Sequence, residues 1–189
     1  MKIRVFPLIL IVVLFILTGC NNSNRQQDWK TYSGKGFSFS YPGNWHIGNT
    51  EKLGLQKELS PEVIIYAPTK PGEIGAGINL TIQQTPLLAP SAKELADQTV
   101  TLFTSSGNAN GIKEYKKISF RPVKYGNTDA GILTGEMTAA QNNVTVKSNQ
   151  LIIPNGFKYF TLTASCKKDE WETYEPEFDK IIESFKITE

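Results

Sequence analysis

Histidine occurs once in this chain, at His46, and cysteine twice, at Cys20 and Cys166. With so few soft ligands a closed zinc site would have to recruit carboxylates, and no candidate pair has the helical or turn spacing typical of zinc. A Ser/His/Asp hydrolase would have to be built on His46, which directly follows Trp45 at the end of a turn, and the neighbouring sequence supplies no serine and acid aimed at it. A membrane-spanning run is also missing. Spanning takes roughly 20 apolar residues, whereas Val5 to Leu17 form 13, interrupted only by Pro7. No internal repeat, low-complexity tract or second linker divides the chain.

The apolar start is informative in a different way. Lys2 and Arg4 precede it, and Leu17-Thr18-Gly19-Cys20 closes it. That order is expected of a secretory signal ending in a lipoprotein box. An ordinary signal or an uncleaved anchor explains the greasy run. Neither explains small residues before Cys20 and the polar stretch Asn21 to Gln27 after it. The expectation is a signal peptide over 1–19, a lipidated cysteine and flexible tether over 20–28, and one globular domain over 29–189. Two or more acyl chains on Cys20 give stable anchoring, at about 0.8 kcal/mol per buried methylene. The domain is then held at the extracytoplasmic face of the cell membrane, within the tether's reach of at most about 3.4 Å per residue.

Cleavage removes Lys2 and Arg4 from the 20 basic residues and none of the 18 acidic ones, so the mature chain is formally neutral. Bulk charge gives no argument for a nucleic-acid partner. With Cys20 lipidated, Cys166 has no intramolecular disulfide partner, and stability must come from a core. About 160 residues after the tether can bury roughly two-thirds of their unfolded surface.

Within the domain, period-two patterns dominate. Phe37, Phe39 and Tyr41 alternate with Ser38 and Ser40 before the turn Pro42-Gly43-Asn44. Val63 to Tyr66 reads as a short inner strand, and Ile78, Leu80 and Ile82 mark another. Further strands are expected around 114–120, 130–138, 144–153 and 157–164. The last two are joined by Pro154-Asn155-Gly156, a hairpin signal. One helix is expected from Ser91, where Ser91-Ala92-Lys93-Glu94 fits a capping box. Leu95, Ala96, Thr99, Leu102 and Phe103 share a face of it, and Gly107 can stop it. A second helix carries Trp171, Tyr174, Phe178, Ile181, Ile182 and Phe185 at helical spacing. Pro176 is placed in or near its first turn, with 169–175 as a looser lead-in.

Gly36 to Trp45, Gly-Phe-Ser-Phe-Ser-Tyr-Pro-Gly-Asn-Trp, resembles the opening strand and turn of PsbP-like and DcrB-like domains. Phe178 to Phe185 resembles their terminal helix with its Ser-Phe ending. The resemblance covers 30–187. It implies an α+β fold, a central antiparallel sheet flanked by helices in an α/β/α sandwich. It implies little about activity, because that fold serves photosystem accessory subunits, bacterial lipoproteins and a nuclear import factor alike. The matching positions are structural, so no metal, cofactor or photosystem-binding residue is carried over.

Other motifs have plain readings. Gly72, Gly75 and Gly77 look like a phosphate loop, but a strand follows where a helix is required. Asn143-Val144-Thr145 matches a glycosylation acceptor that a bacterial lipoprotein would not use. A lone thiol such as Cys166 at a strand end is ordinarily inert, and it could act with His46 only if the fold joins them. Lys113, Lys116, Lys117, Arg121 and Lys124 form a basic segment, while Asp169 to Asp179 is rich in acid. The basic residues are the candidate surface for anionic headgroups or an acidic protein partner.

The resulting expectation is a lipid-anchored, non-catalytic binding or accessory module for an envelope component. The alternative is a carrier of a small apolar ligand held between sheet and helix. A hydrolase using His46 ranks last.

Overall fold

A computed structural model describes residues 28–53, 60–70, 73–105 and 111–188. The signal segment, Cys20, the tether to residue 27, Gly72 and the helix stop at Gly107 lie outside the described residues. Ten strands and two long helices follow in the order β1 (Trp29–Gly34), β2 (Phe37–Pro42), β3 (His46–Ile47), β4 (Val63–Tyr66), β5 (Gly77–Gln84), α1 (Ala92–Ser105), β6 (Ile112–Tyr125), β7 (Thr128–Ala139), β8 (Thr145–Asn155), β9 (Lys158–Lys167), α2 (Trp171–Ser184) and β10 (Lys186–Ile187).

The strands make two sheets where the sequence suggested one. Seven strands run in the order β3-β4-β5-β9-β8-β7-β6, and three form a separate sheet β1-β2-β10. Every pairing is antiparallel. The aromatic opening strand therefore does not join the large sheet. It hairpins onto β1 through Lys35-Gly36, with Gly36 at φ +85°, and the end of the chain adds to its other edge. Its alternation is as expected: Phe37, Phe39 and Tyr41 are buried, with Ser38 and Ser40 between them half-buried.

The β8–β9 hairpin forms at the expected place with a shifted centre. Asn155 pairs with Lys158, so the loop is Gly156-Phe157. Of the two, only Gly156 takes a positive φ, +64°. Asn155 ends a strand, and Phe157 sits at the tip instead of opening β9. The β6–β7 loop, Gly126-Asn127, is built the same way with Gly126 at +55°.

Side chains on β7 and β8 alternate between two cores. Leu133 and Ile152 meet Ala92, Leu95 and Ala96 of α1. Ile132, Leu151 and Ile153 belong to the larger core with Phe178, Ile181 and Ile182 of α2, together with Phe37, Phe39 and Phe160. The Ser91 capping box is formed: the Ser91 N–H donates to Glu94 Oε2 at 2.9 Å, and the Glu94 N–H donates back to Ser91 Oγ at 3.3 Å. The apolar stripe of α1 is covered through its first turns. Its last turn meets β6 through Phe103 and Tyr115, ring centroids 5.1 Å apart, and leaves Leu102 exposed, contrary to its expected burial.

The second helix begins earlier than expected. It starts at Trp171, after a 3-10 turn over Lys168–Glu170, so Pro176 is inside it and 171–175 are helical rather than a loose lead-in. A proline there removes one N–H and crowds the preceding turn, at about 3 kcal/mol. The extra turn buries Trp171 with its ring 5.5 Å from Phe178. Truncating such a core tryptophan costs about 3–5 kcal/mol, so the packing outweighs the proline.

Candidate binding surfaces and family

The two residues on which chemistry would depend lie on different strands of the large sheet, His46 on β3 and Cys166 on β9, with β4 and β5 between them. His46 is exposed on β3, opposite Tyr66, with the two rings 6.0 Å apart. Cys166 is buried near the end of β9, and its burial, helped by Glu170, pushes the thiol from 9.0 to about 11. Among the described residues no group of three His, Cys, Asp or Glu side chains is gathered to hold a metal ion. The Gly75–Gly77 segment runs into β5, as expected from Ile78 to Gln83.

All five residues of the basic segment lie on β6, the last strand of the large sheet, with β7 on one side only. They do not point one way. Lys117 reaches Asp97 of α1 at 3.1 Å, and Lys93 shares that carboxylate at 2.5 Å. Arg121 instead lines a cleft of about 380 Å³ with Asp179 and Glu183 of α2, over a floor of Val123, Ile132, Leu151 and Ile182. There Asp179 is raised above the usual carboxylate range by burial and by Glu175 and Glu183, against the opposing pull of Arg121. Lys124 pairs across the hairpin with Asp129 at 2.6 Å, and Lys113 Nζ donates to Asn143 Oδ1 at 2.8 Å. Lys116 stands opposite Glu136 in the register, and the Glu136 carboxylate pairs with Lys168 at 2.9 Å. The strand thus spreads its charge over two sheet faces, and part of the acidic helix faces part of the basic strand.

A second surface was not anticipated. Leu87 and Leu88 protrude from the loop between β5 and α1, and Phe157 protrudes from the β8–β9 turn. Backbone bonds from Thr85 N–H to Phe157 O and from Ala89 N–H to Gly156 O, both 2.8 Å, bring these loops together. Beside them a cleft of about 390 Å³ opens between the start of α1 and the β5–β9 pair, with Leu95, Gln83, Gln98 and Tyr159 in its walls. The signal in the sequence is two leucines between Pro86 and Pro90, apolar residues outside any strand or helix period. Periodicity-based reading passes over them for that reason.

No curated protein matches the chain. Among solved structures it is similar to the cyanobacterial PsbP protein CyanoP from Synechocystis sp. PCC 6803, at 18% identity and a TM-score of 0.63, covering 90% of this chain and 98% of that one. It is also similar to LpqN of Mycobacterium tuberculosis, described as involved in cell envelope biogenesis, at 16% identity and a TM-score of 0.54, covering 87% and 94%. At these identities the likeness is one of fold. The PsbP-like protein family model matches residues 8–187, and the chain belongs to that family.

Proposed function

We propose that this protein is a lipid-anchored extracytoplasmic lipoprotein whose domain, an α/β/α arrangement of sheet and helices, serves as a non-catalytic binding or accessory module for an envelope component. The observation that carries this reading is Leu17-Thr18-Gly19-Cys20 placed after 13 largely apolar residues and before a polar tether. The exposed setting of His46 and the buried, weakly acidic thiol of Cys166 support the absence of catalysis. The fold shared with LpqN, described as taking part in cell envelope biogenesis, supports the setting. Metabolic labelling with a clickable palmitate analogue tests it. Wild-type protein is expected to label, and Cys20→Ser to be unlabelled and lost from the membrane fraction. An unlabelled wild type with a fully retained Cys20→Ser protein rules the anchor out.

Lys113, Lys116, Lys117, Arg121 and Lys124 are its candidate surface for anionic headgroups or an acidic partner. Charge reversal at Lys116, Lys117 and Lys124 is expected to weaken liposome or partner binding, and unchanged binding removes them from that role.

The apolar floor of the Arg121–Asp179 cleft favours a second reading, a carrier of a small apolar ligand. Native mass spectrometry of the purified domain is expected to show a bound small molecule if that reading holds. A single mass equal to the bare chain dismisses it.

A further inference from the structure

Leu87, Leu88 and Phe157 are 75%, 70% and 60% exposed. Single exposed leucines are ordinary, but here three large apolar side chains stand on two loops that hydrogen-bond to each other, at one pole of the domain. Their exposure is built in. Besides the two backbone bonds that join the loops, Thr85 Oγ1 donates to the Leu87 carbonyl at 2.6 Å. Pro86 and Pro90 restrict the backbone on either side.

The adjoining cleft indicates the kind of partner. None of its lining residues is charged, and Gln83, whose Oε1 accepts the Tyr159 hydroxyl, and Gln98 supply amide groups beside Leu95. Neutral amides next to apolar knobs match a polypeptide main chain with apolar side chains. Lys35 and Lys158 line a separate cleft on the other face, together with Glu62, whereas a phosphate headgroup would call for cations among these amides.

The strand register gives the direction in which the patch faces, given the anchored reading above. β1 runs from Trp29, paired with Pro42, to Gly34, paired with Phe37. Phe37 pairs with Ile187 of β10, and Ile187 shares a cleft with Gln84 and Lys158, at the end of the sheet that carries the two loops. The tether exit at Asp28 is therefore a strand length away from the patch, about 17 Å at roughly 3.3 Å per residue. It also lies on the other face: Lys180 of α2 stands 4.0 Å over the Trp29 ring, whereas the patch adjoins α1. From Cys20 to Asp28 the chain reaches at most about 27 Å. That separation is within the tether's reach, so what turns the patch outward is that the tether leaves from the opposite end and the opposite face.

From this geometry we infer that the Leu87–Leu88 and Phe157 pole is a protein-docking face directed away from the membrane, and that it receives an uncharged apolar segment of an envelope protein whose main-chain amides meet Gln83 and Gln98.

Site-specific photocrosslinking of the full acylated protein in cells tests this, with benzoylphenylalanine placed at Leu88, at Phe157, or at exposed Lys30 beside the tether. One protein adduct shared by the first two positions and missing from the third is expected. The captured protein, once purified, is expected to lose affinity by at least about tenfold for Leu88→Ser and Phe157→Ser, while both variants melt as the wild type does. Adducts to phospholipid, adducts to a second copy, no adduct, or unchanged affinity in the serine variants overturn the inference. Palmitate labelling of the same samples separates the two claims. An acylated chain with no protein adduct sinks the docking face alone, and an unacylated chain that still gives the adduct sinks the anchored reading while supporting the face.

Discussion

Tyr125 Oη donates to the carbonyl of Phe185 at 2.6 Å and accepts the N–H of Ile187 at 3.0 Å. A side chain at the end of β6 thus satisfies two backbone groups where α2 gives way to β10, and it ties the large sheet to the small one. Tyr125→Phe leaves both groups without that partner, at about 1–3 kcal/mol. Urea unfolding is expected to show a lower midpoint with an unchanged slope. An unaltered midpoint means that the hydroxyl contributes nothing to the junction.

Phe178 is fully buried and touches Trp45, Trp171 and Tyr174, with centroids 6.1, 5.5 and 6.1 Å away. Phe178→Ala is expected to cost about 3–5 kcal/mol. Leu102→Ala, at an exposed position on α1, is expected to stay within about 0.5 kcal/mol. Calorimetric melting of the two variants side by side checks the contrast. Equal losses would place the core elsewhere.

The thiol of Cys166 is pushed from 9.0 to about 11 because burial disfavours the thiolate and Glu170 adds repulsion. Alkylation at pH 8 is expected to be slow in the folded protein and to become fast only in denaturant. Because the fold favours the neutral thiol, its contribution to stability is complete below pH 9 and is lost as pH rises toward 11. Rapid modification of the native protein at pH 8 would contradict the burial.

β6 is a 14-residue strand whose outer edge has no neighbour among the described residues. Irregularities between Ile112 and Glu114 and between Lys117 and Ser119, together with Pro122 and the five basic residues, make that edge a poor template for another strand. The triple change Lys116→Ile, Pro122→Val and Lys124→Ile is expected to cause concentration-dependent association in sedimentation velocity. A variant that sediments like the wild type at high concentration would show that the edge needs no such protection.

The parts of the fold that could be read from sequence are those with a strong period or a local chemical signature. The alternation around Phe39 and Leu80 located β2 and β5, and Ser91 with Glu94 located the start of α1. β1, β3 and β10 were not legible. They are short and carry no alternating apolar face, and their pairing depends on contacts distant in sequence, such as Lys186 with Ser38. The same applies to Pro176, where local propensity argued against a helix that Trp171 packing then extends. The basic segment was visible as composition, but its division between the α1 and α2 faces depends on strand alternation and on the bulge near Ile118. The Leu87–Phe157 patch needed the loop-to-loop bonds, which no local pattern encodes.

The central claim is that the domain hangs from an acylated Cys20, and the mass of the N-terminal peptide released from membrane-extracted protein tests it most directly. A peptide beginning at Cys20 and carrying a diacylglyceryl group is the expected result. A peptide that retains residues 1–19, or one that begins at an unmodified Cys20, would contradict it.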